Sequence, residues 1–263
     1  MRIIDFNIHP PLEPNSEQER DTSSYDVSLS LSRIAASMKD CFIDGGNLMV
    51  LDVDFLQKEP KSLLSQLKGM GLRCTVMIDP RRDDAFDMVD RAAELGIAGL
   101  KYHPYMLNLA PHDHLRAIAV ARHAATRGMC IAVDCSYGTL RVFDVNGVRL
   151  VAALLQVLQT PVVALHGGGR LVLEVMSLAM EAPHLYIDTS FSVSFWAGSS
   201  VEQDFAFAMK KLGCHRWLFG SDHPYVPMGE AVRDTLAFLD RGGFGATEIE
   251  RVMAGTAEEL FSR

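Results

Sequence analysis

Short apolar runs recur along the chain, and each is followed by a longer stretch in which apolar positions return at helical spacing. The runs IIDF, LMVLDV, CIAV and VVAL are nearly continuous, the pattern of strands buried on both faces. They belong to eight predicted strands: Arg2–His9, Asn47–Val53, Arg73–Asp79, Ala98–His103, Cys130–Cys135, Val162–His166, Leu185–Ser190 and Trp217–Ser221. The segments between them predict helices over Ser28–Lys39, Ser62–Met70, Asp83–Leu95, Asp113–Arg127, Val148–Leu158, Leu171–Glu181, Val201–Leu212, Glu230–Arg241 and Thr247–Phe261. Acidic residues open several of these, and Gly71, Gly96 and Gly128 follow three of them, which is the usual polarity of helix ends. Eight alternating units in 263 residues predict one α/β domain over 1–263, a (β/α)8 TIM barrel rather than a doubly wound open sheet. The Pro-, Ser- and acid-rich stretch Pro10–Asp26 predicts a long loop or lid on the C-terminal face of the barrel.

Composition narrows the classes of function. Lys plus Arg number 25 and Asp plus Glu 33, a formal charge of −8, so no basic face recommends nucleic acid as a partner. No apolar run approaches ~18 residues, which argues against a membrane span. The opening MRIIDFNIHPP has one basic residue and an apolar stretch broken by Asp5 and Asn7, unlike a secretory leader. The five cysteines, Cys41, Cys74, Cys130, Cys135 and Cys214, include no CxxC pair. They predict neither a disulfide framework nor a thiolate zinc site, and they fit a reducing, cytoplasmic setting.

In a barrel, chemistry collects where strands end. Nearly every predicted strand here ends on polar groups: Asp5, Asn7 and His9; Lys101 and His103; Asp134; His166; Asp188 and Ser190; Asp222. Period-two geometry puts Asp5, Asn7 and His9 on one face. Imidazoles and carboxylates arriving from separate strands suit either a divalent metal or an acid–base pair. Lys101 reads as a cation for a substrate carboxylate, with a buried ion pair as the ordinary alternative. His103 is a second polar contact or a packing residue before Pro104. Gly167–Gly169 predict a tight turn with positive φ, and Arg170 could add charge for an anion. Tyr105, Tyr137, Phe191, Phe195, Trp196 and Tyr225 follow strand ends, where a lined pocket would take a small, partly apolar or aromatic acid. Cys135 alternates with Asp134 and should face the helices. His112, His114, His123, His184 and His215 read as surface residues. No GxSxG elbow and no GxGxxG fingerprint is present, which argues against a serine hydrolase and a nicotinamide enzyme.

DFNIH, GLKYHP, ALHGGG, LYIDTS and LFGSDHP, in that order from residue 1 to about 260, resemble the amidohydrolase superfamily. They are most similar to its amidohydrolase-related branch, which includes aminocarboxymuconate semialdehyde decarboxylase and related TIM-barrel hydrolases. The resemblance implies a barrel of metal-dependent-hydrolase type. It implies His9 as the kept half of a metal-binding His-x-His pair whose first position is Asn7. It puts Asp134 where a metal-binding imidazole usually stands, His166 as a residue that orients or activates water, and Asp222 as a metal ligand that moves protons. The metal site is therefore degenerate. Asn7, His9, Asp134 and Asp222 form a hard donor set that would suit Mn²⁺ or Mg²⁺ at least as well as Zn²⁺. Metal-assisted and metal-free reactions both stay open. Lys101 as a carbamylated bridge would need metal ligands that the chain lacks. The implied activity is hydrolysis of a small amide, lactone or ester, with Asp222 and His166 catalytic and Lys101, His103, Tyr105, Asn7, Arg170 and Trp196 binding a small-molecule carboxylate. The alternatives are decarboxylation of a small unsaturated or aromatic acid and a non-catalytic ligand-binding relative. Family habit implies a homodimer.

Overall fold

The computed structural model describes residues 1–10, 31–58, 60–136, 140 and 144–262. All but Pro10 of the expected lid, the first residues of the helix expected from Ser28, and Tyr137 lie outside the described residues. Eight strands pair in parallel and in sequence order: β1 Ile4–Ile8, β2 Gly45–Val50, β3 Leu72–Met77, β4 Gly99–Tyr102, β5 Cys130–Asp134, β6 Val162–Leu165, β7 Leu185–Asp188 and β8 Trp217–Leu218. Helices alternate with them, so the fold is a (β/α)8 TIM barrel. All eight expected strands are found. The last is shorter than expected, because beyond Leu218 the chain leaves the ladder. Phe219 N donates to Val252 O at 3.0 Å, and the ring closes through Phe6 N to Phe219 O at 2.8 Å, Asp222 N to Asn7 O at 2.8 Å and His9 N to His223 O at 2.7 Å.

Two apolar layers follow from strand alternation. Leu100, Tyr102, Ile131, Val133, Val162, Ala164, Leu185 and Ile187 pack with helix residues in the outer layer. Ile4, Phe6, Met49, Ala132, Val163, Leu165, Tyr186 and Leu218 form a second cluster with Ala254, Ala257 and Leu260. Met49 on β2 and Leu165 on β6 stand across the ring, so this cluster fills the barrel interior. Alternation then turns Lys101, Asp134 and Asp188 inward.

β1 departs from simple alternation. Its register slips between Asp5 and Ile8, a bulge. Ile4 and Phe6 face the interior, whereas Ile8 packs in the outer layer. The bulge thus separates Asp5 from Asn7 and His9, which strict alternation had placed on one face. The Asp5 carboxylate turns instead to Asn7 N at 3.1 Å and Ser221 N at 2.8 Å, between the first and last strands.

The helix expected over Thr247–Phe261 is three pieces: an α-helix Ala246–Glu250, a π-turn Arg251–Gly255 and an α-helix Thr256–Ser262. A π-turn disturbs the regular hydrogen-bond ladder, and here Val252 O accepts from Phe219 N. Phe261 stacks on Phe6 with ring centroids 5.9 Å apart, and Arg73 lies over it at 4.9 Å. This tail seals the floor of the barrel. Among the described residues no helix is long and apolar enough to cross a membrane.

Candidate active site at the barrel mouth

Among the described residues, three of the five non-glycine positions with positive φ are His166 (59°), Phe191 (57°) and Asp222 (63°), just beyond β6, β7 and β8. Left-handed backbone at such residues costs of order 1–2 kcal/mol each and persists only where the surroundings enforce it. At His166 the enforcement is visible. Its N–H donates to Asp188 Oδ1 at 2.9 Å. The next residues, Gly167, Gly168 and Gly169, have φ of 58°, 80° and 55°, as expected for a tight turn. A Cβ on Gly167 would lie 2.6 Å from the Phe205 ring, so the turn packs too closely for a side chain.

His166 is held at both nitrogens. Nε2 lies 3.0 Å from Asp134 Oδ2, and Nδ1 lies 3.2 Å from Ser190 O and 3.1 Å from Ser190 Oγ. Ser190 Oγ donates to Asp188 Oδ1 and accepts from Asn7 Nδ2 at 2.8 Å. Both ring nitrogens therefore face acceptors, the environment of a doubly protonated imidazolium. Burial opposes that charge, but Asp134, Asp222 and Asp188 outweigh it and raise the pKa to about 9. Asp134 also meets His103 Nε2 at 3.3 Å and accepts from Ser136 N at 3.0 Å and Ser136 Oγ at 2.6 Å. Burial alone would raise its pKa, yet the two imidazoles hold it well below the carboxylate range. Burial lowers His103 to about 3, so it is neutral, and its Nδ1 has no partner among the described residues.

A second cluster adjoins the first. His9 Nδ1 donates to Met49 O at 2.9 Å, which leaves its Nε2 lone pair facing Lys101 Nζ at 3.3 Å. Burial and Lys101 keep His9 neutral. Asp222 Oδ1 lies 3.3 Å from the same Nε2. Burial raises the Asp222 pKa, but the His166 imidazolium and Lys101 bring it below the ordinary value. Asp222 is therefore an ionised, buried carboxylate beside a buried ammonium and near an imidazolium. Tyr105 stands edge-on to His103 with ring centroids 4.2 Å apart, and Tyr225 edge-on to His9 at 6.2 Å.

Under these groups lie two further acids. Burial raises Asp5 to about 7 and also raises Asp188. Gly220 makes room for Asp188: a Cβ there would sit 2.2 Å from Asp188 Oδ2.

The structure thus brings together Asn7, His9, Lys101, His103, Tyr105, Asp134, His166 and Asp222. Two expected binding residues do not join the buried cluster. Arg170 is exposed beyond the glycine turn, whose backbone carries it outward. Trp196 is half-buried against Phe195, which stacks on Phe191, whose ring is 6.2 Å from His166. Ser190 and Ser136 are connectors. Ser190 was signalled by its spacing of two from Asp188; Ser136, beyond the end of β5, had no such signal. Cys135 faces the outer layer as expected, with a thiol pushed well up by burial, and so is no nucleophile.

The ligand set expected for a metal does not fit one. Asn7 donates its amide to Ser190, and its Oδ1 is buried without a partner among the described residues. Asp134 is taken up by two imidazoles and Ser136. His9 Nε2 faces an ammonium. Among the described residues no group of three His, Cys, Asp or Glu is arranged to hold a metal ion.

Comparison with solved structures returns barrels of the same fold. An uncharacterised TIM-barrel protein from Bordetella bronchiseptica is 18% identical with a TM-score of 0.78, covering 100% of this chain and 99% of its own. A probable 2-pyrone-4,6-dicarboxylic acid hydrolase from Acinetobacter baumannii, with citric acid bound, is 15% identical with a TM-score of 0.71 over 100% of both chains. The 5-carboxyvanillate decarboxylase from Sphingomonas paucimobilis is 14% identical with a TM-score of 0.69 over 99% of both. At such identities the likeness is one of fold. Comparison with curated proteins returns no match. The family model described as amidohydrolase matches residues 4–263, nearly the whole length, and with the strand-end motifs in place the chain belongs to the amidohydrolase family.

Proposed function

We propose that the chain hydrolyses a small ester or lactone that carries a carboxylate. The observation that carries this reading is Asp222: a buried carboxylate at the barrel mouth, kept ionised by His166 and Lys101. A general base must be deprotonated and reachable, and Asp222 at the end of the β8 segment meets both needs. In this reading Asp222 takes a proton from the attacking water. His166 has both ring N–H groups committed to Asp134 and Ser190, so it acts by orientation and charge rather than as the direct proton donor. Lys101 has three N–H donors, of which His9 accepts one, and it receives an anionic substrate oxygen. Tyr105 and Tyr225 flank the opening, where the flat body of an unsaturated or aromatic acid would lie.

The fold relatives support substrates of this kind, since one is named for a pyrone dicarboxylic acid and another for a carboxylated phenol. The test is a panel of carboxylated lactones, 2-pyrone-4,6-dicarboxylate among them, with proton release and carbon dioxide followed together. Acid release without carbon dioxide is the expected result. Carbon dioxide from an aromatic acid would replace hydrolysis with decarboxylation at the same site.

A further inference from the structure

Lys101 is 1% exposed and enters the interior from β4. Its Nζ is 3.3 Å from His9 Nε2, which is itself 3.3 Å from Asp222 Oδ1. Burial lowers the Lys101 pKa, and the carboxylates of Asp134, Asp222 and Asp188 oppose that fall and favour the ammonium. His9 donates through Nδ1 to Met49 O, so the lone pair it presents to the pocket is aimed at Lys101. That lone pair and the carboxylates of Asp134 and Asp222 are the donors a divalent ion would seek. An ion at His9 Nε2 would meet the ammonium at contact distance, and like charges that close exclude each other.

We infer that Lys101 is a built-in cation that stands where a divalent metal would otherwise sit, an ammonium held against His9 Nε2 in the field of Asp134 and Asp222. Asn7 agrees with this. A fixed single charge needs no further donor from β1, and the Asn7 amide is turned to Ser190 instead. A covalently attached cation cannot dissociate, so the pocket keeps its charge whatever the supply of metal. The inference rests on geometry and does not depend on which substrate bond breaks. Metal affinity and turnover are read in separate experiments.

The test is calorimetric titration with zinc chloride of the wild type, His9→Ala, Lys101→Met and the double variant Lys101→Met/His9→Ala. Methionine keeps most of the stem's volume and removes the charge. The wild type should show no saturable zinc site that depends on His9. Lys101→Met should gain one, with affinity higher by about a hundredfold or more once the like charge is gone, and His9→Ala should abolish the gain. A wild-type zinc site that His9→Ala removes overturns the inference. So does a folded Lys101→Met protein that binds zinc no better than the wild type. If Lys101→Met does not fold, Lys101→Ala is melted with propylammonium chloride and with equal sodium chloride. A melting temperature restored by the amine alone supports a resident cation, and equal effects of the two salts overturn it.

Discussion

The floor and the mouth of the barrel interior are equally buried and chemically opposite. At the floor, Ile4, Phe6, Val163, Tyr186 and Leu218 meet Ala257 and Leu260 in an apolar plug. At the mouth, on the same inward face, stand Asn7, His9, Lys101, His103, Asp134, Asp188 and Asp222, each no more than 7% exposed. Burying ionisable groups opposes stability unless partners compensate. The mouth compensates with charge pairs and shared hydrogen bonds, and it keeps several groups in states they would not hold in water. The floor needs no such arrangement. One end of the interior holds the fold together, and the other keeps a set of proton affinities displaced, as reacting sites do.

This contrast is breakable at either end. Leu260→Ala, at the floor, should lower unfolding free energy by about 2–5 kcal/mol, the usual range for a large-to-small change in a tight core. Denaturant titration measures it, and kcat of the folded fraction should change little. Asp222→Asn, at the mouth, should show the reverse: turnover down by about 10²-fold or more, with a melting temperature close to the wild type. Near-normal kcat in that variant would remove Asp222 from the mechanism. Ser190→Ala takes away the hydroxyl shared by Asn7, His166 and Asp188. It should cost about 1–3 kcal/mol of stability, the range for stranding buried polar groups, and should also lower kcat.

A further effect is on pH dependence. His166 has a pKa raised from 6.5 to about 9 in the folded protein. The native state therefore binds its proton more tightly than the unfolded chain. The stability this contributes is whole below about pH 6.5 and is lost as pH rises through about 9. Thermal melting across that window should fall in the wild type. In His166→Gln the fall should be shallower, and identical slopes would show that another group titrates there.

The floor was more legible in the sequence than the mouth. Runs such as VVAL and CIAV are continuous because both faces of a barrel strand are covered, so strand number and order could be read directly. Alternation also placed Lys101 and Asp134 inward. What escaped depends on contacts between distant segments. The bulge in β1 is a register slip against β2, with no local signature, and it moved Asp5 away from Asn7 and His9. The four-residue helices Pro104–Leu107 and Ser192–Phe195 are too short to show a period. Asp134 was expected to bind metal. Its partners in the structure, His103 and His166, lie 31 and 32 residues away on neighbouring strands, and no spacing rule predicts that both imidazoles turn to one oxygen. Arg170 was expected at the pocket because its charge follows a turn, but the direction of a turn's exit is set by three positive φ angles.

The plug formed by the C-terminal segment has a kinetic consequence. A tube stoppered at one end is a cul-de-sac: whatever reaches Asp222 arrives from the mouth. Under the proposed hydrolysis, product would have to back out the same way and would compete with incoming substrate for a single berth.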